Sequence, residues 1–308
     1  MKIIYMGTPE FAVPALKSLY ESGFEIPLVI SQRDKPKGRG NKLQPTPVKD
    51  MAVSLGLKIH QPDNVNDDET IEMIRSVEPD FIVVAAYGQI LKEEILKIPK
   101  FDCLNIHASL LPKYRGAAPI NWAIINGDTE TGITIMKMEK GLDTGPMILK
   151  TETPINRDET STEIHDRLAV IGGELIIEAI YKITNGRANY TPQDHGESSY
   201  APMLYKDSGR IDWDKSSESI RNLIRGLFPW PNAYFTYKGE KVKVFKAESI
   251  SYSHEVMPGT IVDVDQRGIK VASKDGFVVI EEIQFPNKKP MKVSAYLLGN
   301  EIEKGYIL

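Results

Sequence analysis

The stretch Lys2–Ser31, KIIYMGTPEFAVPALKSLYESGFEIPLVIS, sets the architecture. An Ile-rich apolar run, Lys2–Met6, stops at Gly7-Thr8-Pro9. From Glu10 to Glu21, Phe11, Ala15 and Leu19 recur at helical spacing, and Pro14 is tolerable within the first turn. Ile26–Ser31 is apolar again. Strand, helix and strand in so short a span predict a β-α-β unit, and hence a parallel sheet covered by helices. The turn after the first strand, Gly7-Thr8-Pro9-Glu10, lacks the GxGxxG that holds a dinucleotide pyrophosphate, which disfavours NAD.

The alternation continues outward from there. Thr46 as cap and Pro47 as first helical residue open a helix with Val48, Met51, Ala52 and Leu55 on its apolar face. Lys58–His60 is a short strand, and Asp67–Val77 a helix with Ile71, Ile74 and Val77 inward. Phe81–Ala86, FIVVAA, is apolar without a break, as expected of a strand buried on both faces. Strands follow at Cys103–His107, Gly132–Met138 and Met147–Lys150, with a short helix at Pro119–Gly127. The capping box Thr160–Glu163 starts a long helix that ends near Asn185-Gly186. Residues 1–186 therefore predict an α/β domain with a Rossmann-like, mostly parallel sheet. The stretch 187–207 is polar and without periodicity, and reads as a linker. In 208–308 a helix capped by Ser216 precedes short strands at Ala233–Tyr237, Lys241–Ala247, Thr260–Val264, Ile269–Ala272 and Phe277–Ile283. That pattern predicts a small OB-like β-barrel, mildly basic in charge.

Composition excludes several classes. A chain of 308 residues has room for two domains. The hydrophobic fraction of 41% and charged fraction of 26% are those of a globular protein. A net charge of −4 argues against a generally basic nucleic-acid coat, though it leaves room for a local patch. The single cysteine, Cys103, rules out an internal disulfide framework and a Cys-rich zinc site. Five scattered histidines show no metal-ligand spacing, so no metal is expected. The N-terminus lacks a signal-peptide run, and no stretch of about 18 apolar residues exists. The expected compartment is the cytoplasm, and nothing demands more than a monomer.

Three places carry chemistry. In CLNIHASLLPKYRGAAPINW, Cys103–Trp122, Asn105 and His107 share one face of a strand by alternation. They lie at its carboxyl end, where ligands of open α/β sheets bind. The plain alternative is a core histidine beside a loop. Asp143 sits in a glycine-rich loop, Glu139–Pro146, where it either serves the site or bonds its own turn. From Arg33 to Lys49 the chain holds six basic residues and one acid, with three prolines and two glycines, which predicts a loop. That loop is either solvated or a basic arm that touches phosphates.

Taken together, MGTPEFAVPAL, GRGNKLQPTPVK, NIHASLLPKYRGAAPI, MEKGLDTGPM and GLFPWPNAY resemble the methionyl-tRNA formyltransferase family of folate-dependent enzymes over nearly the whole chain. The resemblance implies transfer of a formyl group from 10-formyltetrahydrofolate to the α-amino group of methionine on initiator tRNA. It implies catalytic roles for Asn105, His107 and Asp143, and a folate site at Ser109, Leu110, Leu111 and Pro112. By analogy with related formyltransferases, Gln89 and Leu91 would line the pterin pocket. It places tRNA contacts on Arg33, Lys35, Lys37, Arg39 and Lys42, with the C-terminal barrel as a further tRNA-binding domain. Such a reaction passes through a tetrahedral oxyanion. Asn105 would donate to the formyl oxygen, and His107 would donate as imidazolium or accept the amine proton as imidazole. Rivals are a formyltransferase acting on an amino-sugar nucleotide or glycinamide ribonucleotide, a formyl-folate hydrolase, and a noncatalytic RNA-binding protein.

Overall fold

The computed structural model describes residues 1–37 and 42–308. The N-terminal half runs β1 (Lys2–Gly7), α1 (Val13–Glu21), β2 (Glu25–Ile30), β3 (Lys35–Lys37), β4 (Lys42–Gln44), α2 (Pro47–Ser54), β5 (Ile59–His60), α3 (Asp68–Val77) and β6 (Phe81–Ala85). It continues with α4 (Glu93–Leu96), β7 (Asp102–His107), β8 (Arg115–Gly116), α5 (Pro119–Ile125), β9 (Glu130–Lys137), β10 (Met147–Pro154), α6 (Ser161–Thr184) and β11 (Tyr200–Ala201). The caps expected at Thr46 and Thr160–Glu163 are present, and Asp67, read as helical, caps α3. Thr46 accepts from the Lys49 amide, Asp67 from Thr70, and the Glu163 carboxylate from the Thr160 amide.

Seven strands form one sheet in the order β10-β9-β7-β6-β1-β2-β5. From β5 to β7 every pairing is parallel, and β9 joins β7 antiparallel. The chain starts at β1, winds outward through β2 and β5, then returns to the other side of β1 at β6. The carboxyl ends of β1 and β6 thus form a topological switch point. One sheet face buries Ile4, Met6, Leu28, Ile30, Ile82 and Val84 against Ile71, Ile74 and Ile95 of α3 and α4. The alternate residues Ile3, Tyr5, Val29 and Val83 are equally buried, so both faces are covered. On that second face α6 comes close enough that a Cβ on Gly172 would stand 2.7 Å from Ile106.

The basic stretch is not an irregular loop. Lys35–Lys37 and Lys42–Gln44 pair antiparallel, with Pro36 opposite Leu43. Proline fits there because a two-stranded ribbon leaves each strand an outer edge that needs no amide donor.

The remaining elements are α7 (Ser217–Gly226), β12 (Ala233–Tyr237), β13 (Glu240–Ser251), β14 (Ile261–Asp265), β15 (Gly268–Ala272), β16 (Gly276–Gln284), β17 (Met291–Lys292) and α8 (Val293–Tyr296). They build a six-stranded antiparallel sheet, β12-β13-β16-β15-β14 with β17 beside β16. Its core gathers Phe235, Val242, Val244, Val271, Val278, Ile280 and Ile283, with Ile220 and Ile224 of α7.

The compact units do not follow chain order. The first comprises Met1–Gly116, Thr131–Thr153 and His165–Ala201, and the second Ala117–Glu130, Pro154–Ile164 and Pro202–Leu308. Most of the stretch read as a linker, up to Ala201, packs as part of the first unit. In the second unit, Asn121 donates to the Gly226 carbonyl at 2.8 Å. Buried Arg221 pairs with Asp158, Glu218 and Glu248.

Candidate active site

Asn105 and His107 leave the carboxyl end of β7 on one face, as alternation requires. The loop between β9 and β10 brings Asp143 against both. Asn105 Nδ2 stands 3.4 Å from Asp143 Oδ1, and His107 Nδ1 3.7 Å from Asp143 Oδ2. The Gly116 amide donates to Asp143 Oδ2 at 2.9 Å. The side chains of His107 and Asp143 are 6% and 14% exposed, so solvent does not screen the pair as it would at the surface.

The histidine tautomer follows from its other partner. Nε2 lies 2.9 Å from the Tyr114 carbonyl, which can only accept, so Nε2 carries a proton. Proton exchange is therefore confined to Nδ1, the nitrogen that faces Asp143. Tyr114 and Gly116 both adopt positive φ, 60° and 112°, which bends the chain back toward the strand end. At Gly116 a side chain is also excluded by space, since a Cβ would lie 2.5 Å from the Tyr200 ring.

The turn Ser109–Pro112 is braced from within. Ser109 Oγ donates to the Lys113 carbonyl at 2.6 Å. The Thr134 hydroxyl accepts from the Leu111 amide at 3.1 Å and donates to the Ser109 carbonyl at 2.7 Å. Leu111 is fully buried with Met136 and Met147, while Leu110 and Pro112 are half-buried. The turn thus forms a rigid wall beside His107. Gln89 and Leu91 lie in the segment that follows β6. Gln89 accepts from the Val65 amide at 2.8 Å and donates to the Asp63 carbonyl at 3.2 Å, and Leu91 belongs to the core. The exposed apolar side chain of that loop is Ile90. Burial pushes the neighbouring Tyr87 hydroxyl up to about 12.

The basic hairpin is tied down at its base. Lys49 meets Asp34 at 2.5 Å, Gln61 donates to Asp34 at 2.7 Å, and Arg33 pairs with Asp63 at 2.8 Å. Lys35 is exposed. Arg39, and the side chains of Lys37 and Lys42, lie outside the described residues.

Two residues escaped the sequence reading. Gln193 Nε2 donates to the carbonyls of Asp143 and Gly145, both at 2.8 Å. Arg115 donates to Gln193 Oε1 from Nε at 3.0 Å and Nη2 at 2.7 Å. Gln193 lies in the aperiodic stretch after α6, which has no local pattern to mark it. The one available signal was its type, a glutamine followed by Asp194 and His195 in a stretch otherwise poor in chemistry. Cys103 is unsuited to nucleophilic work, because burial pushes its thiol far above the ordinary range. Among the described residues no group of three or more His, Cys, Asp or Glu could hold a metal ion.

An amide, an imidazole and a carboxylate converge at the carboxyl end of a Rossmann-like sheet, where ligands of such sheets bind, and the arrangement is chemically able to stabilise an oxyanion and accept one proton. The chain belongs to the formyl transferase family, whose model matches residues 1–180, with the formyl transferase C-terminal domain matching 203–301. Within that family it is 52% identical to methionyl-tRNA formyltransferase of Clostridium tetani, over 100% of this chain and 99% of that one. It is 50% identical to methionyl-tRNA formyltransferase of Clostridioides difficile, over 100% of both chains. Solved structures share the fold. WlaRD, a sugar 3N-formyl transferase, superposes with a TM-score of 0.68 at 23% identity, covering 94% of this chain and 99% of its own. An N-formyltransferase from Helicobacter canadensis gives 0.67 at 22% identity, covering 91% and 98%.

Proposed function

We propose that this chain transfers the formyl group of 10-formyltetrahydrofolate to the α-amino group of methionyl initiator tRNA, yielding N-formylmethionyl-tRNA. The observation that carries this reading is half-identity along the full length, in both domains, to methionyl-tRNA formyltransferases. No helix among the described residues is long and apolar enough to cross a membrane. We place the enzyme in the cytoplasm, acting as a monomer.

The geometry supports a role for each group. The amine attacks the formyl carbon, and the carbonyl oxygen becomes an oxyanion. An amide has two N–H groups. Asn105 directs one toward Asp143 and has the other to offer to that oxygen. Nδ1 of His107 takes the proton that the amine loses, and Asp143 steadies the resulting imidazolium. The carbon–nitrogen bond to the folate then breaks, and the proton passes to the leaving nitrogen. Ser109–Pro112 supplies a fixed wall for the folate. The hairpin, through Arg33, Lys35, Lys37, Arg39 and Lys42, and the C-terminal sheet supply tRNA contacts. Arg33 is largely exposed, and its ion pair with Asp63 costs little to exchange for a phosphate.

One assay tests the reading. The purified chain is incubated with 10-formyltetrahydrofolate and charged initiator tRNA, and the fate of the formyl group is followed. Formyl on the methionine amine supports the proposal. Formyl on an amino sugar only, or release as formate, overturns it.

A further inference from the structure

We propose that Gln193 is a positioning residue for the transfer step: its carboxamide fixes the backbone of the Asp143 loop, and Arg115 fixes the carboxamide. The proposal rests on the role assigned to Asp143 above. Asp143 adopts φ of 53°, a left-handed conformation that Asp reaches at modest cost and that neighbouring contacts hold here. Those contacts are visible. The carbonyls of Asp143 and Gly145, on either side of Thr144, converge on one NH2 group, each at 2.8 Å.

The opposite end of the same amide receives a two-pronged donation from Arg115, at 3.0 and 2.7 Å. A guanidinium can only donate and a backbone carbonyl can only accept, so the orientation of the amide is forced. Only a neutral amide gives two donors at one end and a two-lone-pair acceptor at the other. Gln193 is 7% exposed, so water offers little substitute for these partners.

Arg115 acts from a second direction. Its neighbour Gly116 donates its amide to the Asp143 carboxylate at 2.9 Å. Arg115 and Gly116 in turn pair in parallel with Tyr200 and Ala201. The segment between α6 and β11 therefore holds the Asp143 backbone through Gln193 and the Asp143 carboxylate through Gly116. Gln193 touches no reacting atom in this scheme. It sets the direction in which the carboxylate meets Nδ1 of His107.

Two near-isosteric variants test the role. Gln193→Glu keeps the acceptor for Arg115 but turns a carboxylate oxygen on two carbonyls. Gln193→Met keeps the volume and removes every hydrogen bond. Both are expected to lower kcat about 10- to 100-fold, the scale of a misplacement near 1 Å. KM for folate and for tRNA stays within about threefold of wild type, and the kcat loss persists at temperatures where each variant is fully folded, although unpaired buried carbonyls lower the melting temperature. On an Asp143→Ala background the Gln193→Met change costs less than about threefold, because no carboxylate remains to be positioned. Wild-type kcat in both single variants overturns the proposal, as does an equal loss on the two backgrounds. A loss that tracks a lowered melting temperature and vanishes on cooling overturns it too. Asp143→Ala, run alongside, separates the two levels: normal turnover there sinks the assigned role of Asp143, whereas a crippled Asp143→Ala beside a normal Gln193→Met sinks the positioning role alone.

Discussion

The Asp143 loop and the basic hairpin are both short and glycine-bearing, yet they are held in opposite ways. Around Asp143, Gln193 binds two carbonyls, Gly116 and Asn105 approach the carboxylate, and a Cβ on Gly145 would lie 2.0 Å from the Lys137 carbonyl. At Asp143 and Gly145 the backbone cannot shift without breaking one of these contacts, although residues 139–142 of the same loop are exposed. The hairpin has strands of only three residues and an exposed Leu43, and among its described residues the ion pairs lie at the base, on Asp34 and Arg33. The difference matches the two demands that the proposed roles would make. Bond-making chemistry requires groups placed to within about half an ångström, which suits a tightly held backbone at Asp143. Attraction of a polyanion depends on how many charges are near and tolerates their movement.

The largest expected effect lies in the rigid loop. Asp143→Ala and Asn105→Ala should each lower kcat by at least about 100-fold with the melting curve unchanged. Near-normal turnover of either purified variant would erase the contrast between the two regions. Gly145→Ala tests the packing of the same loop. Its Cβ cannot coexist with the Lys137 carbonyl, so the loop must move, and kcat should drop about 10- to 100-fold with both KM values retained. A loss confined to KM would show that the loop serves binding instead.

Hairpin substitutions should behave differently in kind. Arg39→Ala or Lys35→Ala should raise KM for tRNA about three- to tenfold, leave KM for folate alone, and reduce the slope of log KM against log salt by about one. Equal shifts for both substrates would remove the hairpin from tRNA recognition. A smaller effect concerns its base. The Lys49 hydrogen bond, then that of Gln61, holds the Asp34 carboxyl below the ordinary carboxylate range. A depressed carboxyl contributes stability that is present above its unfolded pKa of about 4 and lost as pH falls through the folded value. Unfolding titrations below about pH 4 should therefore be shallower for Asp34→Asn than for wild type. Parallel curves would mean that the ion pair leaves the base unsupported. Thr46→Ala, which removes the cap of α2 and the Ser31 contact, should cost about 1 kcal/mol in urea unfolding without changing kinetics.

Much of the first unit was legible in one dimension because its signals are local. Apolar runs marked β1, β2, β6 and β7, caps marked α2 and α6, helical spacing marked α3, and strand alternation placed Asn105 beside His107. Each of these depends on neighbours a few residues apart. The short strands after α7 were read from the same kind of pattern, apart from the two-residue β17. Where a side chain's partner is remote, the reading stopped. For Gln89 and Leu91, analogy could not show that Leu91 packs into the core while its neighbour Ile90 is exposed. The hairpin looked irregular by composition, and its cross-strand pairing is what makes it regular.

The sequence by itself determined most element types, the sheet's mostly parallel character and the placement of Asn105 and His107 on one face of β7. Tertiary structure alone decided how Asp143 is held against them. Gln193 is 50 residues from Asp143 and 78 from Arg115 along the chain, in a stretch with neither period nor cap. Hydrogen bonds of that span leave no local trace, because periodicity and capping report only what a residue does with its near neighbours.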